Sequence, residues 1–582
     1  MKQATLSWKR SSQFAKTDSA NVLLIILVWI VMSILVNPLG DFPINDDWVY
    51  GRAVKSIIEE GNFTLSGGNT SANLVAQAFW GALFCLPFGF SFSALRISTL
   101  VLGLIGVIAT YGLLREVRAS RLISLFGALL VALNPIYFGL SNTFMTDVPF
   151  FAVAAMSLYF FIRGLRSDRK VDITLGTLLA CLSLLIRQNG IIIPIAFGCA
   201  YLFKKKLSRT NVIVASIPTL SSILLQFIYQ NWLELTDRTS PNFNLQSRGF
   251  VNIISSANIG TIVYLLDSTL IALVYVGLFI SPLIIPIFLT KFRASSSTEK
   301  RLIFLSIPSI LIVMLARLAK NRPMIMPFKG NTLMDFGLGP LTLHDGDAVI
   351  SSRAFTPAIL TYVWGALTVV AVISAAFLIY YLLTATRHIF KQPKKDESVS
   401  PQWLKVLVVL TILFYYLPFG ISTYFDRYLL MLIPLLLMLV VGSKPMIDQP
   451  HFIHKKIFPV ALLIILICGG FTVGATHDYL SLNRVRWQAL NALMRDSKVS
   501  PNYIDGGYEF NGWYLYDPKN TYAINFMKDP KRPDKSWWYV DRDDYMIAFG
   551  NLAGYEELKR YQTGRWLPFG PETISVLRKE SA

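Results

Sequence analysis

Cysteine and histidine are scarce in this chain, four and five among 582 residues. Cys85, Cys181, Cys199 and Cys468 fall in or beside apolar runs at spacings unlike those of a metal site. They read as inert packing residues. Among the histidines, His344 stands beside two acids, Asp345 and Asp347; that cluster could hold a cation, though a solvated turn explains it as well. Charge is short too: charged residues make up 15% of the chain and hydrophobic ones 53%, which excludes a soluble globular protein of ordinary composition. A nucleotide loop is missing, because the Gly337–Pro340 string GLGP lacks the strand, the helix and the further glycine such a loop needs.

In place of polar surface the chain has uncharged apolar runs near the ~20 residues that cross a bilayer. The first, 21–36, comes after a stretch carrying Lys9, Arg10 and Lys16. No small-residue cleavage site intervenes before Pro38, so it reads as a retained anchor and not a cleaved signal. Further spans are expected at 94–114, 122–139, 148–162, 173–186, 191–203, 212–232, 269–290, 302–316, 357–384, 404–420, 428–441 and 457–475. The fold class is thus a polytopic α-helical membrane protein of about 13 transmembrane helices. If the N-terminus is cytoplasmic, the cytoplasmic loops read REVRASR, RGLRSDRK, KKKLSR, KFRASSSTEKR, RHIFKQPKK and SKPMIDQPHFIHKK, and every one is basic. That asymmetry predicts a multi-pass protein of the cell (inner) membrane with its C-terminus extracytoplasmic. The net charge of +19 then reports topology and anionic membrane lipid, with no nucleic acid partner.

This orientation leaves long stretches outside: 37–93, 233–268, 317–354 and the tail after 476. A membrane domain, 1–475, is therefore expected to carry an extracytoplasmic domain, 476–582. Any sizeable catalytic apparatus faces outward, where nucleotide sugars and ATP are absent. In the first outer loop, Asn45 can cap a helix over 46–60, whose Val49, Ala53, Val54, Ile57 and Ile58 recur at helical spacing and suggest a helix lying on the membrane surface. The apolar stretch 74–90 is expected to be interfacial or re-entrant. The tail predicts a helix over 479–495 and then a small α/β domain, in which Tyr508, Trp513, Trp537 and Trp538 form the core or stack on sugar rings.

Two acidic spots stand at membrane-span borders on the outer side: Asp46 and Asp47 in INDDWVY, and Asp147 in TFMTDVPFF. Carboxylates at bilayer depth are costly to keep. Helix capping accounts for either alone, since acids favour a first helical turn and Asp147 precedes Pro149 by two residues. Their shared side and depth point beyond capping, to one site.

These strings resemble the lipid-linked-sugar glycosyltransferases of the protein O-mannosyltransferase and lipid A aminoarabinose transferase type (glycosyltransferase family 39), which share the membrane fold called GT-C. The matching pieces are INDDWVY, the Thr-Asp-x-Pro opening MTDVPFF, the late YFDRYLLMLIP and the outer string MPFKGNTLMDFGLGPLTLHD. The resemblance implies transfer of a sugar from a polyprenyl-phosphate donor to a glycan, lipid or protein acceptor on the extracytoplasmic face. It implies Asp46 or Asp47 as the base for the acceptor hydroxyl; the family often shows Asp-Glu where this chain has Asp-Asp, so the choice between them stays open. Asp147 would orient the acceptor or stabilise positive character on the sugar ring. Donor-phosphate binding falls to outside cations: Arg52, Lys55, Lys329, Arg353 and Arg427 foremost, with Arg187, Lys320 and Arg322 beside them. Anchoring to lipid headgroups would explain any one of these cations equally. No metal site is expected and no cofactor is required, although a divalent cation is possible. The competing function is a transporter or flippase of a lipid-linked glycan, which would favour ionisable residues buried mid-span and an internal repeat; a scaffold with a sugar-binding tail would leave the acidic pair unexplained.

Overall fold

The computed structural model describes residues 2–65, 71–239, 243, 245–320, 324–334, 337–338, 343, 359–390, 401–442, 458–517, 539–540 and 542–580. Its helices are α1 (Lys2–Val36), α2 (Asp47–Glu60), α3 (Val75–Cys85), α4 (Phe92–Glu116), α5 (Arg121–Ala132), α6 (Pro135–Ser141), α7 (Asp147–Ser167), α8 (Lys170–Ile186) and α9 (Ile192–Lys205). The series continues with α10 (Arg209–Leu235), α11 (Leu245–Ser255), α12 (Ile259–Ala294), α13 (Ser297–Lys320), α14 (Ile359–Phe390), α15 (Gln402–Ile421), α16 (Leu432–Val441), α17 (Phe458–Arg495) and α18 (Tyr508–Leu515). A short hairpin, β1 (Leu333–Met334) and β2 (Gly337–Leu338), precedes α14. The C-terminal sheet holds β3 (Ile504–Asp505), β4 (Tyr545–Ala548), β5 (Tyr555–Gln562) and β6 (Thr573–Lys579) in the order β3-β4-β6-β5.

Each of the thirteen predicted spans overlaps a helix, but only nine helices among the described residues are long and apolar enough to cross a membrane, or ten if one bent pair counts as a span. The bent pair is α5 and α6, which meet at 62°. Asn134 breaks the run: its side chain accepts the N–H groups of Ile136 and Tyr137 and starts a second helix with Pro135 in the first turn. The other three predicted spans are short, with α8 at 17 residues, α9 at 14 and α16 at 10. α3, at 11 residues, is also too short to cross, in keeping with an interfacial or re-entrant segment.

Helices pack where side chains are small. A Cβ on Gly277 of α12 would lie 2.7 Å from the backbone nitrogen of Ala375 and 2.8 Å from the carbonyl oxygen of Ala371, so these two helices meet nearly backbone to backbone. α10 instead presents Ile217, Leu220, Leu224 and Phe227 outward, the pattern of a lipid-facing surface.

Two expectations change. The predicted surface helix runs from Asp47 and is covered on both sides: it packs against α3, with Gly51 against Phe90 and Phe92, while Trp48 and Val49 are buried among Tyr508, Tyr516 and Tyr539. The cause is α18, whose Gly512 sits so close to Trp48 that a Cβ there would reach the indole at 2.4 Å. Asn45 does not cap this helix. It adopts a left-handed conformation (φ 55°), and Asp46 occupies the cap position without making a side-chain cap bond. The predicted boundary at 475/476 falls inside α17, one continuous helix of 38 residues, about 57 Å long at 1.5 Å per residue. The last apolar span and the predicted helix 479–495 are therefore a single rod.

Candidate active site

The segment before α2 is held by buried polar groups. Arg96 of α4, 1% exposed, donates to the carbonyls of Pro38, Gly40 and Phe42 at 2.6, 3.1 and 2.9 Å. Asp41 accepts the Phe92 N–H at 2.7 Å. Asp47, 2% exposed, joins this segment to the turn before α7: one carboxylate oxygen accepts the Ile44 N–H at 3.2 Å and the other the Phe144 N–H at 2.8 Å. Burial pushes the Asp47 carboxyl up to about 8 against the opposing pull of Arg96 and these two N–H groups. Asp47 is thus consumed by backbone.

Asp46 is the freer of the pair, with its side chain one-fifth exposed. Its Oδ1 accepts a 2.7 Å hydrogen bond from the Tyr508 hydroxyl, and its Oδ2 lies 4.0 Å from Nη2 of Arg427. Burial raises its proton affinity above the ordinary carboxylate value, while Arg427 and Tyr508 oppose that rise.

Arg427 joins the two acidic spots. Its Nε lies 3.6 Å from Asp147 Oδ2, its Nη2 faces Asp46 and its Nη1 donates to Asn331 at 2.7 Å. Asp147 Oδ1 takes a second, closer cation, Nη1 of Arg187 at 2.9 Å. Arg187 stands just past the end of α8, and its guanidinium rests over the Tyr428 ring at 5.0 Å. Burial would weaken both guanidinium groups as bases, but Asp147 holds both above the ordinary arginine value. The turn carrying Arg427 is fixed by Asp426, whose carboxylate gathers the N–H groups of Asn331, Thr332 and Leu333 at 3.2, 3.0 and 2.6 Å, together with that of Arg427 at 2.8 Å. The Asp-Arg pair of YFDRYLL therefore divides its work, with Asp426 binding the loop and Arg427 binding the acids.

Asp46 and Asp147 thus meet through one arginine. Neither helix start has a side-chain cap bond, with Thr146 and Asp46 in the cap positions, and Asp147, in the first turn of α7, faces cations. The predicted phosphate ligands separate. Arg52 donates to the carbonyls of Gly512 and Trp513 at 3.0 and 2.7 Å, clamping the C-terminal end of α18. Lys55 pairs with Glu59 across one helical turn at 3.8 Å, nearly half exposed, and lies over Trp513. It too is engaged away from the acids. Lys329 stands two residues before Asn331, with its ammonium over the Tyr424 ring at 5.0 Å. Arg353, Arg322, His344, Asp345, Asp347, Trp537 and Trp538 lie outside the described residues, as does the Lys320 side chain. Trp513 packs on Phe90 and Phe92 as core. Tyr508, expected as a core or sugar-stacking ring, and Asn331 are polar groups of the site that no local pattern marks: Tyr508 is 462 residues from Asp46. Among the described residues no group of three or more His, Cys, Asp or Glu side chains is placed to hold a metal ion.

Fold and site together define a helical membrane protein with an acid–arginine centre at the end that carries its C-terminal sheet domain. Residues 74–232 match the family described as dolichyl-phosphate-mannose-protein mannosyltransferase. The matched stretch contains Asp147 and Arg187. It leaves Asp46 and Arg427 on either side. Among solved structures, the chain is similar to ArnT from Cupriavidus metallidurans bound to undecaprenyl phosphate, at 14% identity over 96% of this chain and 97% of that one, with a TM-score of 0.40. It is also similar to the Archaeoglobus fulgidus oligosaccharyltransferase in complex with Zn and sulfate, at 13% identity, 85% and 57% coverage and a TM-score of 0.43. The S. cerevisiae protein O-mannosyltransferase Pmt1-Pmt2 complex bound to the sugar donor matches at 14% identity over 39% of this chain and 35% of that one, with a TM-score of 0.31. No curated protein matches the chain.

Proposed function

We propose that the protein is a GT-C-like glycosyltransferase that moves a sugar from a polyprenyl-phosphate donor to an acceptor hydroxyl on the extracytoplasmic face of the membrane. The observation that carries this reading is the meeting of Asp46 and Asp147 across Arg427, with Arg187 completing the cluster. The family match over 74–232 adds the donor class.

The chemistry asks for few groups. The acceptor oxygen forms a bond to the anomeric carbon as the bond from that carbon to the phosphate oxygen breaks, with its electron pair leaving on the phosphate. The acceptor proton passes to Asp46, the more accessible carboxylate, whose burial makes it a better base. Asp147 stands where positive character on the sugar ring can be met. Arg427, Arg187 and Lys329 supply the cationic charge that the departing phosphate needs, so the reaction requires no divalent ion. Arg427 reaches Asp46 only at 4.0 Å; a donor phosphate competing for Nη2 would draw it away and leave Asp46 free to accept the proton. Which of a glycan, a lipid or a protein receives the sugar is open to the same assay.

Membranes holding the protein would be incubated with radiolabelled polyprenyl-phosphate mannose, and release of polyprenyl phosphate monitored along with label in the lipid and protein fractions. Asp46→Asn is expected to cut transfer by about 10²- to 10⁴-fold with unchanged protein yield, because asparagine can still accept from Tyr508. In the unaltered protein, kcat/KM should fall as Asp46 protonates, at a pH above the ~3.9 of an ordinary aspartate. Transfer at the normal rate by Asp46→Asn would overturn the assignment of the base.

A further inference from the structure

The C-terminal domain does more than cover the site. We propose that Tyr508 is a positioning residue for the Asp46 base, so that the domain beyond the last span is part of the catalytic unit. This rests on the reading of Asp46 given above.

Tyr508 opens α18 and donates its hydroxyl to Asp46 Oδ1 at 2.7 Å. Its ring packs edge-on against Trp48, centroids 5.9 Å apart, two residues beyond Asp46. The next residue, Glu509, is fully buried and accepts the backbone N–H of Asn45 at 2.9 Å. Its other oxygen pairs with Arg486 of α17 at 2.8 Å, and Arg486 also donates to the Gly506 carbonyl at 2.9 Å. Two adjacent residues of the C-terminal domain therefore hold two adjacent residues of the first loop, one through a side chain and one through backbone. The left-handed conformation of Asn45, unusual for a residue with a Cβ, is set at this junction.

The consequence for proton transfer is geometric. With Oδ1 occupied by the tyrosine hydroxyl, the oxygen left to take the acceptor proton is Oδ2, the one that faces Arg427. The tyrosine bond also favours the ionised carboxylate, which helps to keep Asp46 ready as a base inside a buried cluster. The charged and titratable groups around Asp46 are Arg427 on the turn before α16, Asp147 on α7, Glu509 and Tyr508 on α18, and Asp47 and Tyr50 on its own helix. Of these, Tyr508 is the one seen donating a hydrogen bond to it.

The test compares full pH–rate profiles of the complete chain in membranes, with polyprenyl-phosphate mannose as donor. Tyr508→Phe keeps the ring against Trp48 and removes the bond. It is expected to move the acid limb of kcat/KM upward by about one pH unit and to lower kcat about tenfold, with the donor KM and thermal midpoint unchanged. Tyr539→Phe, in the same aromatic cluster around Trp48, should leave the limb in place. Incorporating 3-fluorotyrosine at 508, a more acidic phenol that retains both bond and packing, should move the limb downward and keeps the test decisive if the phenylalanine variant does not fold. An unmoved acid limb in the variants at 508, with Asp46→Asn inactive, would overturn this inference and leave the base assignment standing. An active Asp46→Asn would overturn both.

Discussion

Neighbouring identical residues can have opposite tasks when their surroundings differ. Asp46 and Asp47 are indistinguishable in INDDWVY, yet Asp47 has both oxygens bound by backbone N–H groups from two segments, while Asp46 meets a hydroxyl and a guanidinium. Asparagine separates them experimentally. At 47 it has one acceptor oxygen for two N–H donors, so its amide nitrogen would be set against a buried N–H, at a cost of about 1–3 kcal/mol. Asp47→Asn is therefore expected to lower the thermal midpoint in detergent, while Asp46→Asn leaves the midpoint alone and removes activity. Equal midpoints for the two variants would show that the Asp47 bridge is not structural. The cost of keeping two acids and two arginines buried is met here by mutual pairing, which is how ionisable groups persist beside a membrane.

At the scale of elements, the helix α2 decides the site, because it presents Asp46 and Asp47 at its start and Arg52 one and a half turns later. Its periodicity predicts one apolar face, which is present, but the chain covers the opposite flank with α18 and so converts a surface helix into a buried one. That cover changes the task of Arg52: a cation that resembles a phosphate ligand in the sequence is bound to carbonyls at the end of α18, where helix polarity favours it. Arg52→Gln should loosen α18, seen as faster proteolysis of the C-terminal domain and a lower thermal midpoint, without raising the donor KM. A selective rise in the donor KM would restore the phosphate role.

For the whole molecule, α17 is a strut. At about 57 Å it exceeds the ~30 Å hydrocarbon core by several turns, so it can cross a bilayer and still carry Arg486 and the C-terminal sheet to the acid–arginine centre. A chain ending at residue 475 keeps Asp46, Asp147, Arg187 and Arg427 but loses Tyr508, Glu509 and the cover over Trp48. It is expected to insert in the membrane, to be less stable and to lose transfer by at least the factor expected for Tyr508→Phe. Full activity in that truncated chain would make the domain an appendage. The continuous helix also explains why the boundary read at 475/476 does not divide the structure: hydropathy changes there, whereas the backbone hydrogen-bond ladder does not.

Hydrophobic periodicity and length located the apolar helices and the small mixed domain at the C-terminus, since burial in lipid and in a core depends on composition, but not which of the thirteen runs are long enough to cross. The acids could be found as well, because carboxylates are costly near lipid and stand out against apolar runs; so could Arg427, beside its conspicuous aspartate. The pairing depended on tertiary structure. Whether Asp46 or Asp47 faces Arg427, whether Arg52 meets a phosphate or a carbonyl, and that Tyr508 reaches across 462 residues to the first loop are matters of a few ångströms in a packed interior. Contacts of that kind between distant stretches leave no periodic trace along the chain.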